Sequence, residues 1–186
     1  MIIMFEGPDG SGKSTLLTKI HEYLIEKYYI DRVDACGNYW IPTHPKAPDR
    51  VSEEQLFSKL EAMIKDDTVY LIDRGPISDC VYRVFDDNTT VTSIDKVKEF
   101  INKYNTKFML IYCKTPDAEK YMRERGEDNP TSLQRHKELT KVYDLVMNLL
   151  KTKYNYIQYD FTVNKTKKIL DTIDYFVFMN SKEKER

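Results

Sequence analysis

The sequence lacks a strong charge excess and has few cysteines, and each of these absences excludes a class of protein. Its 29 basic and 30 acidic residues leave a formal net charge of −1, whereas a general nucleic-acid binder carries a basic excess. The three cysteines, Cys36, Cys80 and Cys113, are an odd number at wide spacing and show no metal-ligand pattern. This usage favours reduced, mostly buried thiols in a cytosolic setting over disulfides or a catalytic cysteine.

Membrane and processing signals are missing as well. No apolar run approaches the roughly 20 residues that span a bilayer, and Met1 leads straight into an apolar stretch with no basic or small-residue cleavage signature. The 186 residues are 41% hydrophobic and 32% charged, without internal repeats or low-complexity linkers. We therefore expect one domain over 1–186 with a charged tail at 181–186, located in the cytoplasm and without a membrane partner.

Three glycines are concentrated near the start, in the stretch FEGPDGSGKST from Phe5 to Thr15. The spacing of Gly7, Gly12, Lys13 and Ser14 is the phosphate-binding loop pattern, which is informative where a buried strand enters the loop and a helix leaves it. The apolar run before the loop and the helical spacing after it meet both conditions. A glycine turn with a surface lysine is the alternative, and the context favours a loop that binds ATP.

The chemistry of the loop follows from its residue types. Curled backbone would turn N–H groups toward anionic oxygens, and the positive end of the following helix would add to the attraction. Lys13 would reach the outer phosphates, while the hydroxyl of Ser14 would bind Mg²⁺. The predicted ATP-binding residues are Gly7, Pro8, Asp9, Gly10, Ser11, Gly12, Lys13, Ser14 and Thr15.

Apolar segments alternate with helical patterns along the rest of the chain. We predict strands at 2–5, 69–72, 108–113 and 154–159, with a weaker strand near 32–36. This alternation is typical of an α/β fold in which a five-stranded parallel sheet lies between two layers of helices.

Several helix boundaries also have recognisable signals. We expect a capping box at Ser52 and further caps at Thr115 and Asn164, and we expect Gly126 to end the helix that Thr115 begins. The long helix that follows should carry Tyr143 toward the core.

Charged residues follow the strand predicted at 69–72. Ligands of parallel sheets bind beyond the carboxyl ends of the strands, so these residues are candidates for the site. Asp73 would position Mg²⁺ beside the phosphate loop, and Arg74 would clamp a phosphate with two donors. A structural Asp–Arg pair at a strand end is the alternative.

Two further arginines, Arg123 and Arg125, lie just before Gly126. A short lid over about 121–132 would bring them onto the triphosphate, where they would neutralise charge on the transferring phosphoryl group. The alternative is a solvated helix end.

These residues resemble the thymidylate kinases, a family of P-loop kinases with the three-layer α/β fold. The matching segments are FEGPDGSGKST, Asp73-Arg74 with Ser78 and Tyr82, Arg123-x-Arg125-Gly126, and Tyr159-Asp160 at the start of the family's adenine-contacting loop. The resemblance implies phosphoryl transfer from ATP, with Mg²⁺, to a (deoxy)nucleoside monophosphate, such as dTMP or a modified pyrimidine analogue.

The same resemblance implies roles for individual residues. Asp9 would contact the 3′-hydroxyl of the acceptor's sugar, Arg74 would bind its phosphate, and Ser78 and Tyr82 would line its sugar and base pocket. Gly10 stands where some members have an arginine, so the lid arginines would supply the catalytic charge. The residues assigned to catalysis are Lys13, Asp9, Arg74, Arg123 and Arg125.

The sequence departs from the family after the second strand. The usual Glu-Pro-Gly-Gly-Thr run is replaced by GNYWIPTHP, and no arginine occurs between Leu56 and Asp73 to meet a thymine edge. Tyr39 and Trp40 then lie near the expected acceptor site, and we assign both to substrate binding. Trp40 suits stacking on a base and partly buried packing equally well, so the identity of the base stays open.

Other acceptors and another class of function also remain open. A hydroxyl acceptor on a nucleoside or on a base in DNA would need a nearby carboxylate as general base, and Asp9, Asp73 and Asp79 are the candidates. A nucleic-acid acceptor would also need a basic, aromatic-lined groove, for which support is thin, so we do not favour it. A nucleotide-binding switch or ATPase would have no evident use for arginines on the acceptor side. Relatives are commonly dimers, and the resemblance therefore admits a homodimer.

Overall fold

The computed structural model describes most of the chain, in ten ranges. These are residues 1–28, 33–36, 52–66, 68–83, 93–116, 118–124, 126, 129–151, 155–163 and 166–182. Four predictions fall outside them and concern Tyr39, Trp40, Arg125 and the cap at Asn164.

Within the described residues, five parallel strands form one sheet. They are β1 (Ile2–Glu6), β2 (Val33–Cys36), β3 (Val69–Asp73), β4 (Phe108–Cys113) and β5 (Tyr156–Tyr159). Their order across the sheet is β2-β3-β1-β4-β5, and every pairing is parallel. The predicted five-stranded α/β fold is thereby confirmed, and β1, which leads into the phosphate loop, lies at its centre.

The described helices follow the strands in the expected alternation. They are α1 (Lys13–Tyr28), α2 (Glu53–Lys65), α3 (Pro76–Arg83), α4 (Ile94–Lys103), α5 (Ala118–Glu124), α6 (Pro130–Leu150) and α7 (Thr166–Lys182). None of the helices described is both long enough and apolar enough to cross a bilayer.

The two faces of β1 show why the fold has three layers. Successive side chains of a strand point to opposite faces, and Ile2 and Met4 pack into one apolar cluster while Ile3 and Phe5 pack into another. Residues of α2, α3, α4 and α6 complete the first cluster, and residues of α1 and α7 complete the second. All four β1 side chains are fully buried, so the sheet lies between helices on both sides.

Most helix boundaries agree with their sequence signals, and one does not. The capping box at Ser52 is confirmed, and Gly126, two residues beyond the last residue of α5, has a left-handed backbone (φ 76°). The prediction of a cap at Thr115 is wrong, because α5 begins at Ala118. Thr115 is only 4% exposed and directly follows Lys114, whose N–H still pairs with the carbonyl of Tyr159, so the chain has not yet left the sheet.

Candidate active site

The phosphate loop joins β1 to α1, and its backbone needs glycine. Gly7, Gly10 and Gly12 all have positive φ, at 142°, 73° and 79°. A Cβ on Gly7 would lie 2.0 Å from the carbonyl oxygen of Cys113, so no larger residue fits where the loop meets the end of β4. The strand–loop–helix unit predicted from the sequence is therefore present.

Lys13 is the first residue of α1 and folds back over the loop. Its side chain is buried, and the ammonium donates a hydrogen bond to the carbonyl oxygen of Pro8 at 2.8 Å. Burial lowers the pKa of Lys13 to about 8 and the charge of Arg74 adds to this, while Asp73 and Asp9 act in the opposite direction. A buried cation in a glycine-rich loop at the N-terminus of a helix favours an anionic ligand.

Ser14 and Asp73 form a second polar pair at the loop. The Ser14 hydroxyl donates to Oδ2 of Asp73 at 2.9 Å, and Oδ1 of Asp73 is buried without a hydrogen-bond partner among the described residues. An unsatisfied buried carboxylate oxygen is costly, and Mg²⁺ prefers oxygen ligands. The pair fits the predicted Mg²⁺ ligands. The described residues contain no cluster of three His, Cys, Asp or Glu side chains that could bind a metal, so phosphate and water oxygens would complete the coordination.

Arg74 and Asp9 meet beside the loop. Nη2 of Arg74 lies 2.6 Å from Oδ1 of Asp9, Nη1 donates to the carbonyl oxygen of Gly7 at 3.0 Å, and the guanidinium lies over the ring of Tyr82 at 5.2 Å. Burial raises the pKa of Asp9, but the charges of Arg74 and Lys13 outweigh this effect and hold the pKa below its usual value. Asp9 is therefore an ionised acceptor of hydrogen bonds.

The backbone of Arg74 is strained. It is the only non-glycine residue with positive φ (70°) in the described part of the chain, while its N–H continues the strand ladder to Phe5. A left-handed non-glycine residue costs free energy and is often found at functional sites. Here the turn places the guanidinium against the phosphate loop.

Ser78 was expected to line the acceptor pocket, and the structure corrects this. It is fully buried; its hydroxyl donates to the carboxylate of Glu6 at 2.5 Å and lies 2.7 Å from the hydroxyl of Tyr143. Because Glu6 is itself fully buried, it requires donors, and Ser78 supplies one. Burial raises the pKa of Glu6 to about 7, opposed by the hydrogen bond from Ser78 and the charge of Arg74.

Tyr82 and His136 both lie near Asp9. The hydroxyl of Tyr82 is 3.4 Å from Oδ2 of Asp9, and Nε2 of His136 is 2.9 Å from the carbonyl oxygen of Asp9. Sequence reasoning missed His136, which lies on α6 and is 5% exposed. No local motif marks a histidine that reaches a loop 127 residues earlier.

Of the two lid arginines, the structure describes Arg123, whose side chain is exposed. Arg123 lies in the last turn of α5, and no contact within the described ranges joins it to the phosphate loop. Its catalytic role, like that of Arg125, stays a prediction.

An aromatic pair borders the other end of the loop. The ring of Phe161 lies 2.9 Å from the position that a Cβ on Gly12 would occupy, and it packs against Tyr121 with ring centroids 4.7 Å apart. Phe161 follows β5, in the segment that the resemblance assigns to adenine contact. The pair thus forms an apolar wall beside the phosphate loop.

Comparison with known proteins supports the resemblance over a short stretch of sequence. A 29-residue segment is 66% identical to a thymidylate kinase from Finegoldia magna, and it makes up 16% of this chain and 14% of that protein. No protein-family model matches the chain.

Solved structures match over nearly the whole chain. The YorR protein of Bacillus subtilis, in complex with phosphorylated GDP, aligns with a TM-score of 0.71 at 18% identity over 97% of this chain and 98% of that one. Deoxyadenosine kinase from M. mycoides, with the products dCMP and dCDP, has a TM-score of 0.51 at 17% identity and coverages of 97% and 100%. Shikimate kinase from Acinetobacter baumannii, in complex with shikimate, has a TM-score of 0.50 at 14% identity and coverages of 96% and 93%. The chain therefore has the P-loop kinase fold, and its resemblance to the thymidylate kinase-like proteins is confirmed.

Proposed function

We propose that the protein transfers the γ-phosphoryl group of MgATP to a (deoxy)nucleoside monophosphate. The expected acceptor is a pyrimidine nucleotide such as dTMP or a modified analogue. The observation that carries the proposal is the position of Arg74, a second cation besides Lys13, with Asp9 bonded to it at 2.6 Å. A phosphate loop that only bound or hydrolysed ATP would need no such pair beside it.

The described residues would have separate roles in such a transfer. Loop amides and Lys13 would bind the phosphates of ATP, Arg74 would bind the acceptor phosphate, and Asp9 would orient the acceptor's sugar. Mg²⁺ held at Ser14 and Asp73 would neutralise charge on the triphosphate. Positioning and charge stabilisation then account for most of the catalysis.

A monophosphate acceptor suits the carboxylates that are present. An ionised phosphate needs no general base, whereas a hydroxyl acceptor does. Asp9 has a depressed pKa beside Arg74, and Asp73 is bonded to Ser14. Asp79 and Glu6 are fully buried, so neither is placed to take a proton from a bound hydroxyl.

Three expectations remain proposals that rest on the sequence and the resemblance alone. They are a single domain over 1–186, a homodimer and a location in the cytoplasm. The lid over 121–132 belongs with them, because Arg123 shows no contact to the loop within the described residues and Arg125 lies outside them.

A screen of acceptors tests the function directly. ADP release from MgATP is measured with each deoxynucleoside monophosphate, the free nucleosides, hydroxymethylated pyrimidine analogues and short single-stranded DNA, against a reaction without acceptor. We expect turnover with one or two pyrimidine monophosphates. Turnover only with nucleosides or DNA would mean that the assignment of a monophosphate acceptor is wrong. Equal ADP release without any acceptor would support an ATPase or switch.

A further inference from the structure

A continuous chain of hydrogen bonds lies behind Arg74. Nη1 of Arg74 donates to the hydroxyl of Tyr143 at 2.8 Å. That hydroxyl lies 2.7 Å from the hydroxyl of Ser78, which donates in turn to Oε2 of Glu6 at 2.5 Å. We call Glu6, Ser78 and Tyr143 the buried relay.

The members of the buried relay come from three elements and are all fully buried. Glu6 ends β1, Ser78 lies in α3 and Tyr143 lies in α6, each at 0% exposure. A buried carboxylate is stable only with several donors, and Glu6 also accepts from the backbone N–H groups of Gly75 (2.8 Å) and Ser78 (3.3 Å). The relay is therefore anchored to the start of α3 as well as to the sheet.

The direction of the hydrogen bonds follows from Glu6. An ionised carboxylate only accepts, so the Ser78 proton points at Glu6 and the Tyr143 proton points at Ser78. The oxygen of Tyr143 then remains an acceptor for the guanidinium of Arg74. Every link of the relay thus supports the orientation of Arg74.

The relay determines which donors of Arg74 remain for a ligand. Guanidinium carries five N–H groups. The two on Nη1 point at Gly7 and Tyr143, with Oγ of Ser78 as a further, more distant acceptor at 3.5 Å, and one on Nη2 points at Asp9. The second N–H on Nη2 and the one on Nε have no acceptor within the described ranges, and they form a fork of the kind that binds a phosphate.

We propose that the buried relay positions this fork for the acceptor phosphate. The residues of the relay are positioning residues, since they act through Arg74 and touch no substrate themselves. The inference rests on the proposed function for its kinetic consequence, because Arg74 must bind the acceptor phosphate. A long side chain held in its binding orientation loses less conformational entropy on binding.

The kinetic test compares two tyrosine-to-phenylalanine variants at pH 8, where Glu6 is ionised. Tyr143→Phe removes the shorter link between the relay and Arg74 (2.8 Å) and leaves the longer contact of Nη1 with Oγ of Ser78 (3.5 Å). Tyr112→Phe is the matched control, since Tyr112 is buried, stacks on the ring of Tyr143 (centroids 6.3 Å apart) and bonds to Asp144 at 2.8 Å. We expect Tyr143→Phe to raise KM for the acceptor about tenfold, which corresponds to one hydrogen bond to a charged group, while KM for ATP stays unchanged.

Glu6→Gln tests the direction of the hydrogen bonds in the buried relay and keeps the size and shape of the side chain. The glutamine N–H₂ would donate to Ser78, so the Ser78 proton would turn to Tyr143 and the Tyr143 proton would lose its acceptor. We expect acceptor KM to rise, but by less than in Tyr143→Phe, because the Tyr143 oxygen still accepts from Arg74. The proposal is overturned if both variants keep the wild-type acceptor KM, or if Tyr112→Phe shifts it equally.

A structural measurement separates failure of the relay from failure of the proposed function. Crystal structures of the wild type and of Tyr143→Phe should show the Arg74 guanidinium in one orientation in the former and displaced from Gly7 and Asp9 in the latter. An unmoved guanidinium in the variant would overturn the relay. If the wild type accepts no monophosphate in the acceptor screen, the proposed function fails and these structures still decide whether the relay positions Arg74.

Discussion

Arg74 and Asp9 form an ion pair whose two members differ sharply in exposure. Nη2 and Oδ1 are 2.6 Å apart, but the side chain of Arg74 is 18% exposed and that of Asp9 is 57% exposed. Protein contacts hold the arginine from behind, whereas the carboxylate reaches it from the open side. A bound phosphate would therefore find a guanidinium already in place, next to a carboxylate that is free to engage a sugar hydroxyl.

Asp9→Asn tests the contact of Asp9 with the acceptor's sugar. The amide keeps the size of the side chain but removes the charge that accepts most strongly from a hydroxyl. We expect KM for the nucleoside monophosphate to rise about tenfold, the loss of one charge-assisted hydrogen bond. The 2′,3′-dideoxy analogue should bind the variant and the wild type alike, and an equal loss with this analogue would contradict the assignment.

Lys13→Met separates catalysis from stability. We expect turnover to disappear, because the charge on the transferring phosphates is no longer neutralised. The pKa of Lys13 is about 8 in the folded chain and 10.5 in the unfolded chain. The buried ammonium therefore lowers the free energy of unfolding at pH 7. This destabilisation disappears as the pH rises from about 8 to 10.5. Unfolding of the nucleotide-free variant by urea at pH 7 should require on the order of 2 kcal/mol more free energy than the wild type.

The control for Lys13 lies on the same helix. Lys19 is exposed on α1, and Lys19→Met should change neither turnover nor stability appreciably. Wild-type turnover in Lys13→Met would mean that the phosphate loop has been misinterpreted.

Asp73→Asn tests the unsatisfied oxygen at the loop. An amide is a weaker ligand for a hard cation than a carboxylate. We therefore expect the Mg²⁺ concentration that gives half-maximal rate to rise about tenfold, which corresponds to a loss of about 1.4 kcal/mol in the free energy of Mg²⁺ binding. A titration of turnover with MgCl₂ at saturating nucleotides measures it. The same magnesium dependence in variant and wild type would remove Asp73 from the metal site.

Phe161→Ala tests the apolar wall beside Gly12. Stacking on an aromatic ring contributes about 1–3 kcal/mol per base, so we expect KM for ATP to rise about tenfold or more, with acceptor KM unchanged. Tyr175→Ala is the control, since Tyr175 is an aromatic residue 66% exposed on α7. A rise in KM for the acceptor, with KM for ATP unchanged, would place Phe161 beside the acceptor and not beside ATP.

Glu6 gives stability a pH dependence of known sign. The pKa of Glu6 is about 7 in the folded chain and 4.5 without burial. Between pH 4.5 and pH 7 the folded state therefore holds a proton on Glu6 that the unfolded state has lost. Stability then falls as pH rises from about 4.5 to 7. Glu6→Gln should remove this fall, because its amide does not titrate.

Urea unfolding of both proteins from pH 5 to pH 8 measures the effect. Glu22→Gln serves as the control, because Glu22 is exposed on α1 and should leave the slope unchanged. Parallel pH profiles for the wild type and Glu6→Gln would show that Glu6 does not titrate in this range.

Local signals were sufficient for the sheet and the phosphate loop. The strands at 69–72 and 108–113 were found within one residue, because continuous apolar runs are typical of strands buried on both faces. Helix α3 was not predicted. It has only eight residues, and Gly75-Pro76 at its start has the composition of a turn.

The site was predicted less completely than the fold. Asp9, Arg74 and Tyr82 do come together, but Ser78 was assigned to the wrong environment and His136 was missed. The two errors have related causes. Helix α3 was not predicted, and for α6 the sequence shows an amphipathic pattern but not which of its polar residues face another polar group across the core.

The sequence by itself determined the loop and the alternation of strands and helices, because each depends on the conformational preferences of neighbouring residues. Only the tertiary structure decided that Glu6 is buried, that Tyr143 bonds to Arg74, and that Phe161 packs on Gly12. These contacts join residues 69 or more positions apart, and burial in a common core gives each polar group its partner.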